Sequence, residues 1–257
     1  MIIASLALGW RLAIFAAAGV AGGASNAIAG GGTFITFPTM LALGIPALQA
    51  NVSATVGIVP SFIGGVRGFR EELIVRRTLV RAMIAPCLAG TFVGCGLLFW
   101  GSPRTFRVIV PFLIGIATLV FALAPLITRR LTTLDHEHPV RRRALFTGIF
   151  LASVYGGYFG AGLGIVLLSV MAITLPYNVH TIQGIRMTIS MVITSVAAVI
   201  FIVRGHLALD AVYMLLVGTI VGGWLGTLLL RRLSPGVVRI LVVTIGTVTT
   251  IHLALTT

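Results

Sequence analysis

Two glycine-rich runs have the residue types and spacing that could bind an anion. The first is Asn26-Ala-Ile-Ala-Gly-Gly-Gly32, followed by Thr33, and the second is Tyr155-Gly-Gly-Tyr-Phe-Gly-Ala-Gly162. Each run interrupts a long apolar segment and precedes a short apolar stretch that ends at a proline, Pro46 or Pro176. A helix that begins at such a break directs unpaired N–H groups and the positive end of its dipole at whatever precedes it. Because glycines let a ligand approach this backbone, the runs predict an anion site.

Arg186 is the one charged residue that lies more than one turn inside a predicted membrane helix. A charge in this environment indicates a functional site, although an arginine roughly 12 Å along its helix could also extend to the membrane surface. Gln183 lies one turn away on the same face. In the first half, Asn51 and Thr55 share a helix face, whereas Ser53 points elsewhere unless that turn is unwound. Each of these side chains could instead bond a neighbouring helix.

The predicted substrate contacts combine the two breaks with these helices. They are Asn26, Gly30, Gly31, Gly32, Thr33, Asn51, Ser53, Tyr155, Tyr158, Gly160, Gly162, Gln183 and Arg186. The alternative for the glycines is close helix packing, which is common in membrane proteins. That alternative is preferred for glycines away from the breaks, namely Gly64, Gly90, Gly94, Gly222, Gly223 and Gly226.

Composition defines the kind of protein that must position these residues. The chain is 58% hydrophobic and 9% charged, with a mean hydropathy of +1.12. A soluble domain is about 25% charged, so this is an all-α polytopic membrane protein in contact with lipid. The apolar runs are too long for the strands of a membrane β-barrel. Although the net charge is +13, the arginines lie at the ends of apolar runs without interleaved aromatics, which argues against nucleic acid as a partner.

Polar breaks divide the chain into two corresponding sets of five helices. In the first repeat, residues 1–127, helices are predicted near 9–29, 33–44, 48–66, 78–100 and 104–127. A connecting loop at 128–141 leads to the second repeat, residues 142–257, with helices near 142–159, 163–175, 178–203, 209–230 and 237–256. An odd number of segments makes the second copy inverted relative to the first. The helices at 33–44 and 163–175 are too short to span a hydrocarbon core of about 30 Å and should be re-entrant or strongly tilted.

The arginine distribution predicts the orientation of these repeats. Apart from Arg186, four arginines fall on one predicted side, Arg11, Arg104, Arg107 and Arg204, and the remaining thirteen fall on the other. The positive-inside rule makes the arginine-rich side cytoplasmic. In the bacterial inner membrane, both termini would then be periplasmic.

Other kinds of site find little support in the sequence. Cys87 and Cys95 are about 12 Å apart along one helix and cannot pair with each other. No histidine, cysteine and carboxylate cluster predicts a metal, no pattern requires a cofactor, and no nucleophile motif predicts catalytic residues. None of the acidic residues falls in the middle of a predicted helix, so the usual carboxylate for a proton or sodium ion is missing. The patterns make no prediction of oligomeric state.

Over nearly its whole length the chain resembles the TauE/SafE family of sulfite and organosulfonate exporters. The resemblance is carried by both glycine runs, by Pro38, by Gln49-Ala-Asn-Val-Ser-Ala-Thr55 and by the Arg70-Glu-Glu-Leu73 loop. The family's usual Asn-Ala-Thr is here Asn51-Val52-Ser53, and its Asn-Ala-Leu-Lys-Asn looks like Gln183-Gly-Ile-Arg-Met187. An arginine in place of lysine keeps the cation and can grip two oxygens of one anion.

The resemblance implies a small anionic substrate such as sulfite or sulfoacetate. The resemblance also implies export, which we expect to occur by alternating access, and an inside-negative potential favours exit of an anion by about 2.3 kcal/mol per charge per 100 mV. Two alternatives remain open. One is a transporter of the same fold that imports its substrate or acts on carboxylates, since direction cannot be read from the sequence, and the other is a membrane-embedded sulfur-transfer enzyme.

Overall fold

The structure is a computed structural model that describes residues 8–68, 76–132, 141–177, 179–204, 206–229 and 235–256. Within these ranges the chain is helical and contains no strand. The predicted Arg70-Glu-Glu-Leu73 loop and residues 133–140 of the predicted connecting loop at 128–141 lie outside the described residues, whereas residues 128–132 belong to a helix. The prediction of an all-α protein is confirmed.

The described helices follow the predicted boundaries closely. In the first half they are α1 (Leu8–Ala29), α2 (Thr33–Ala42), α3 (Ala47–Ile58), α4 (Ser61–Gly68), α5 (Arg77–Trp100) and α6 (Pro103–Thr132). In the second half they are α7 (Arg142–Tyr158), α8 (Leu163–Thr174), α9 (Val179–Arg204), α10 (Leu209–Leu229) and α11 (Pro235–Thr256). One difference is that the helix predicted at 48–66 is two helices, α3 and α4. Pro60 lies in the turn between them, where its ring and missing N–H oppose a continuous helix.

Five of the described helices are long and apolar enough to cross a membrane. These spans are Gly9–Ile28, Arg77–Trp100, Pro103–Val120, Thr181–Arg204 and Leu209–Gly226. Large apolar side chains cover their outer surface, including Phe92, Phe112, Tyr213 and Trp224, each more than half exposed. A soluble protein rarely exposes apolar surface on this scale, so these faces are suited to lipid.

Helices from the two halves pack in reciprocal pairs. The first helix of one half, α1, packs along α10 of the other, and α7 packs along α5 in the same way. The last helices, α6 and α11, pack against each other, as do α3 and α9. The short helix α2 contacts α11, and its counterpart α8 contacts α6. Each of these contacts between the halves therefore has a counterpart in which the roles of the halves are exchanged.

Glycines bring the longest pairs close together. A methyl group at Gly222 of α10 would lie 2.8 Å from Cα of Val20 in α1. One at Gly94 of α5 would lie 3.0 Å from Cα of Gly157 in α7. Similar contacts confirm that Gly90, Gly94, Gly222, Gly223 and Gly226 are packing glycines, while the surroundings of Gly64 are not described. Cys87 and Cys95 are both free and buried, as expected from their spacing.

Two short helices begin inside the protein, at the buried residues Thr33 and Leu163. Helix α2 has 10 residues and α8 has 12, so at 1.5 Å per residue neither spans a bilayer. The chain reverses direction before each of them through glycines with positive φ, Gly30 before α2 and Gly160 and Gly162 before α8. Only glycine adopts this conformation without strain, which explains why both breaks are glycine-rich.

Candidate functional site

The two glycine breaks meet inside the protein. A methyl group built on Gly30, at the first break, would lie 2.8 Å from Cα of Gly164, at the start of α8. A methyl group built on Gly164 would likewise lie 2.8 Å from Cα of Gly30. Both glycines are buried. The sequence analysis expected both breaks at one anion site, and this contact brings their backbones together.

Two further contacts join the breaks across the halves. Phe34, in the first turn of α2, packs against Gly162, where a methyl group would lie 2.9 Å from its ring. The side-chain amide of Asn51, in α3, donates a hydrogen bond of 3.1 Å to the carbonyl oxygen of Tyr158 at the end of α7. Asn51 is fully buried, and its Oδ1 has no partner among the described residues. The position of each break is therefore set by residues from the opposite half.

Both short helices begin at this junction. The first hydrogen bonds of α2 are donated by the N–H groups of Phe34, Ile35 and Thr36 to Gly31 and Gly32. In α8, the N–H of Leu163 bonds Gly160, and those of Ile165 and Val166 bond Gly162. The N–H groups at a helix start have no intrahelical partner and carry the positive end of the dipole. Two such ends therefore meet where the glycines touch.

Arg186 lies directly against this contact. Its Nη1 occupies the space that a side chain would need at both Gly30 and Gly164. The residue is 2% exposed, so its guanidinium is inside the protein and does not extend to the membrane surface. Its Nε donates to Oε1 of Gln183 at 2.7 Å, and its Nη2 lies 3.2 Å from the sulfur of Met187. Nη1 has no hydrogen-bond partner in the described part of the chain.

The charge of Arg186 is not balanced by any described carboxylate. Asp210 is the one acidic residue within the described ranges, and it is exposed at the start of α10. A buried charge without a partner is strongly unfavourable. A permanently charged guanidinium with a free nitrogen is a group to which an anion could bind.

A small cavity lies beside the glycine contact. Its lining combines glycines from both breaks with hydroxyl, amide and apolar side chains: Asn26, Gly30, Thr33, Thr55, Ile58, Phe62, Gly156, Gly160, Leu163, Gly164, Ser190 and Thr194. Its volume is about 20 Å³, and a single water needs about 10 to 15 Å³ by the same measure. The cavity therefore admits one or two waters in this conformation, and it must widen to admit a larger anion.

Four of the predicted contact residues line this cavity, Asn26, Gly30, Thr33 and Gly160. Asn26 is fixed by a hydrogen bond of 2.8 Å from its Nδ2 to Oγ of Ser61 in α4. Three more of the predicted residues lie close to the cavity without lining it. Arg186 lies against the glycine contact, Gln183 accepts a hydrogen bond from Arg186, and Gly162 packs against Phe34.

The remaining predicted residues have structural contacts. Ser53 accepts a hydrogen bond of 2.9 Å from the N–H of Ala208 in the connection before α10. The Tyr155 hydroxyl donates to the carbonyl of Ala161 and so spans the second break. Tyr158 packs against Phe106. Gly32 is enclosed by α1 and α3, with Cδ1 of Ile58 2.7 Å from a methyl group placed there, and Gly31 accepts the N–H of Phe34.

Eight of the twelve cavity residues were not among the predicted contacts, and the sequence contained a signal for five of them, including Thr55, which shares a helix face with Asn51. Gly156 and Gly164 flank the second break within or next to the glycine run. Ser190 and Thr194 follow Arg186 at four-residue intervals, which places all three on one face of α9. A polar stripe in register with a membrane arginine would have identified both hydroxyls.

Comparison with known proteins agrees with this architecture. Residues 15–253 match the family model described as sulfite exporter TauE/SafE. The chain is 22% identical over 235 residues to a probable membrane transporter protein of Haemophilus influenzae, and the match covers 90% of each chain. No solved structure matches the chain.

Proposed function

Because the chain belongs to the TauE/SafE family and is a membrane transporter, not an enzyme, we propose that it exports a small sulfur-containing anion. The proposed substrate is sulfite or an organosulfonate. The proposed site is the junction of the two glycine breaks, where Arg186 would balance the negative charge.

The observation that carries this proposal is the unpartnered nitrogen of Arg186. Nη1 is buried, has no described acceptor and touches Gly30 and Gly164, where two helix starts converge. Permanent positive charge, helix dipoles and accessible glycine backbone all favour an anion. A neutral or cationic substrate would leave the guanidinium unpaired.

We further propose that residues 1–127 and 142–257 are two inverted five-helix repeats joined by residues 128–141. The reciprocal packing of the halves supports a twofold relation between them. In this arrangement α3 and α4 together correspond to α9. For a protein of the inner membrane, the arginine distribution supports an orientation with both termini in the periplasm.

Alternating access would use the contact between the halves. The cavity is too small for a sulfonate in this conformation, so substrate must enter when the breaks separate. Separation would expose the helix starts, Nη1 of Arg186 and the cavity hydroxyls to one side of the membrane. With an inside-negative potential, exit of a monoanion is favoured by about 2.3 kcal/mol per 100 mV.

The test is ligand-dependent thermal stabilisation of the purified protein in detergent. Sulfite, sulfate, sulfoacetate, taurine and matched carboxylates are compared on the wild type, on Arg186→Ala and on Arg204→Ala. Arg204 ends the same helix but is exposed over the ring of Phe99 at 5.5 Å, so it provides a matched control.

We expect a sulfur anion to stabilise the wild type and Arg204→Ala but not Arg186→Ala. If no anion stabilises the wild type, or if Arg186→Ala responds equally, the proposed site is wrong. If only carboxylates stabilise the wild type, the proposed substrate is wrong but the proposed site is not.

A further inference from the structure

Hydroxyl groups in the described helices follow a regular pattern. Ser25, Thr118 and Ser190 depart from it, and of these three Ser190 lines the cavity. In most cases a helical serine or threonine donates to the carbonyl four residues earlier, as Thr188 does to Gly184 at 3.1 Å and Ser153 to Ile149 at 2.7 Å. This bond satisfies the hydroxyl inside an apolar environment. The Oγ of Ser190 is buried, with 1% of the residue exposed, and has no partner among the described residues.

Ser190 lies where its free hydroxyl could donate a hydrogen bond to a bound ligand. Ser190 lines the cavity, one helical turn beyond Arg186 on the same face of α9. Residues at this spacing have Cβ atoms about 5 to 6 Å apart, so both donors can reach one oxyanion. Two unsatisfied donors therefore lie at the cavity: the hydroxyl of Ser190 in its lining, and Nη1 of Arg186 against Gly30 and Gly164, which also line it.

The rest of the lining limits the charge and shape of what the donors can hold. Ile58, Phe62 and Leu163 contribute large apolar side chains to the cavity. Arg186 is the one charged group at the site in the described part of the chain. One positive charge balances one negative charge, and a second buried charge of either sign would be uncompensated.

From these observations we infer that the site takes a monoanion with an apolar end, whose oxyanion is bound by Arg186 and Ser190. A short alkanesulfonate has this form. Sulfite and sulfate have no carbon to place against the apolar side chains, sulfoacetate brings a second negative charge, and taurine brings an ammonium group with no acceptor of opposite charge. This inference rests on the proposed function and restricts its substrate to short alkanesulfonates.

A ligand series tests the inferred substrate. Methanesulfonate, ethanesulfonate, sulfite, sulfate, sulfoacetate and taurine are titrated against the wild type, with Kd obtained from thermal stabilisation and from calorimetry. Burial of one further methylene should strengthen binding about fourfold, so ethanesulfonate should bind about four times more tightly than methanesulfonate and more tightly than the inorganic ions. If sulfite or sulfoacetate binds more tightly than either alkanesulfonate, the inference is wrong while the proposed anion site stands. If none binds, both are wrong.

Two variants test the role of Ser190. Ser190→Ala removes a hydroxyl that has no partner, so its melting temperature without ligand should not fall. Its affinity for methanesulfonate should fall about 10- to 100-fold, the usual range for a bond to a charged group. Thr188→Ala, in the same helix, removes a hydroxyl that bonds its own backbone and should leave the affinity unchanged. A structural role for Ser190 would produce the opposite result, a lower melting temperature with unchanged affinity, and would overturn the assignment.

Discussion

The contact between Gly30 and Gly164 makes a quantitative prediction about stability. Gly30 has a φ of +77°, which disfavours any residue with a Cβ by about 1 to 2 kcal/mol. A methyl group there would also lie 2.8 Å from Cα of Gly164, well inside the contact distance of about 3.5 to 4.0 Å. Overpacking of this kind destabilises by about 1 to 3 kcal/mol. We therefore expect Gly30→Ala to lower the free energy of unfolding by about 2 to 5 kcal/mol.

The chain contains glycines that separate these two contributions. Gly44 has a φ of +83° but no atom within 4 Å of a methyl group placed there, so Gly44→Ala should lose only the backbone part, about 1 to 2 kcal/mol. Gly164 lies within α8 and has no positive φ, so a methyl group there is opposed only by its close approach to Gly30. Gly164→Ala should therefore lose about 1 to 3 kcal/mol of unfolding free energy. Gly96 has neither constraint, and Gly96→Ala should lose nothing.

The assay is equilibrium unfolding of the purified variants in one detergent, followed by circular dichroism. The double variant Gly30→Ala with Gly164→Ala should lose less than the sum of the single losses, because the shift that accommodates one methyl group also makes room for the other. The reasoning is refuted if Gly30→Ala loses no more than Gly44→Ala, or if Gly164→Ala behaves like Gly96→Ala. Either result would mean that the two breaks are not in close contact.

Three further predictions concern the contact between the halves, the topology and the driving force. Asn51→Ala removes the bond to the Tyr158 carbonyl and should lower the free energy of unfolding by about 1 to 3 kcal/mol; an unchanged stability would mean that this bond does not join the halves. Cysteines introduced at Ser102 and Arg143, both exposed, should react with a membrane-impermeant thiol reagent from opposite sides of the membrane. Both native cysteines are buried, so they should not react. Labelling of both introduced cysteines from one side would contradict the proposed orientation. In proteoliposomes, substrate flux should follow an imposed membrane potential, whereas flux that persists at zero potential and stops when a pH gradient is dissipated would contradict potential-driven export.

Most of the fold could be predicted from the sequence because membrane helices are defined by local properties. Hydropathy, helix-breaking glycines and prolines gave the boundaries of the helices to within a few residues. The division of the predicted helix 48–66 at Pro60 follows the same local rule, although Pro60 alone does not determine whether a helix bends or ends. The pairing of α1 with α10 and of α5 with α7 could not be read locally, since it depends on which surfaces fit each other across the two halves.

The candidate site was predictable to a lesser degree because burial decides what a polar residue does. Arg186 was identified by its charge alone, and its burial beside the glycines agrees with a role inside the protein. Ser53 illustrates the limit, since its hydroxyl bonds the backbone of Ala208, which is distant in sequence. Ser190 was missed for the opposite reason: what distinguishes it is the absence of a bond that most helical hydroxyls make, and this absence is visible only in three dimensions.

At the proposed site, the unpaired nitrogen of Arg186 would link substrate binding to movement of the two halves. Without an anion beside it, a buried positive charge next to two helix starts of the same sign would make the contact between the breaks less favourable. A bound anion would reverse this balance, because it attracts the guanidinium and both helix starts at the same time. Since α2 and α8 come from different halves, the same attraction would draw the halves together around the substrate. A ligand shifts a conformational equilibrium only through its different affinity for the two states, and here the difference would arise from how many of these positive groups surround the anion. The state in which both halves surround the substrate would therefore need no acidic residue at the site, because the substrate itself supplies the negative charge.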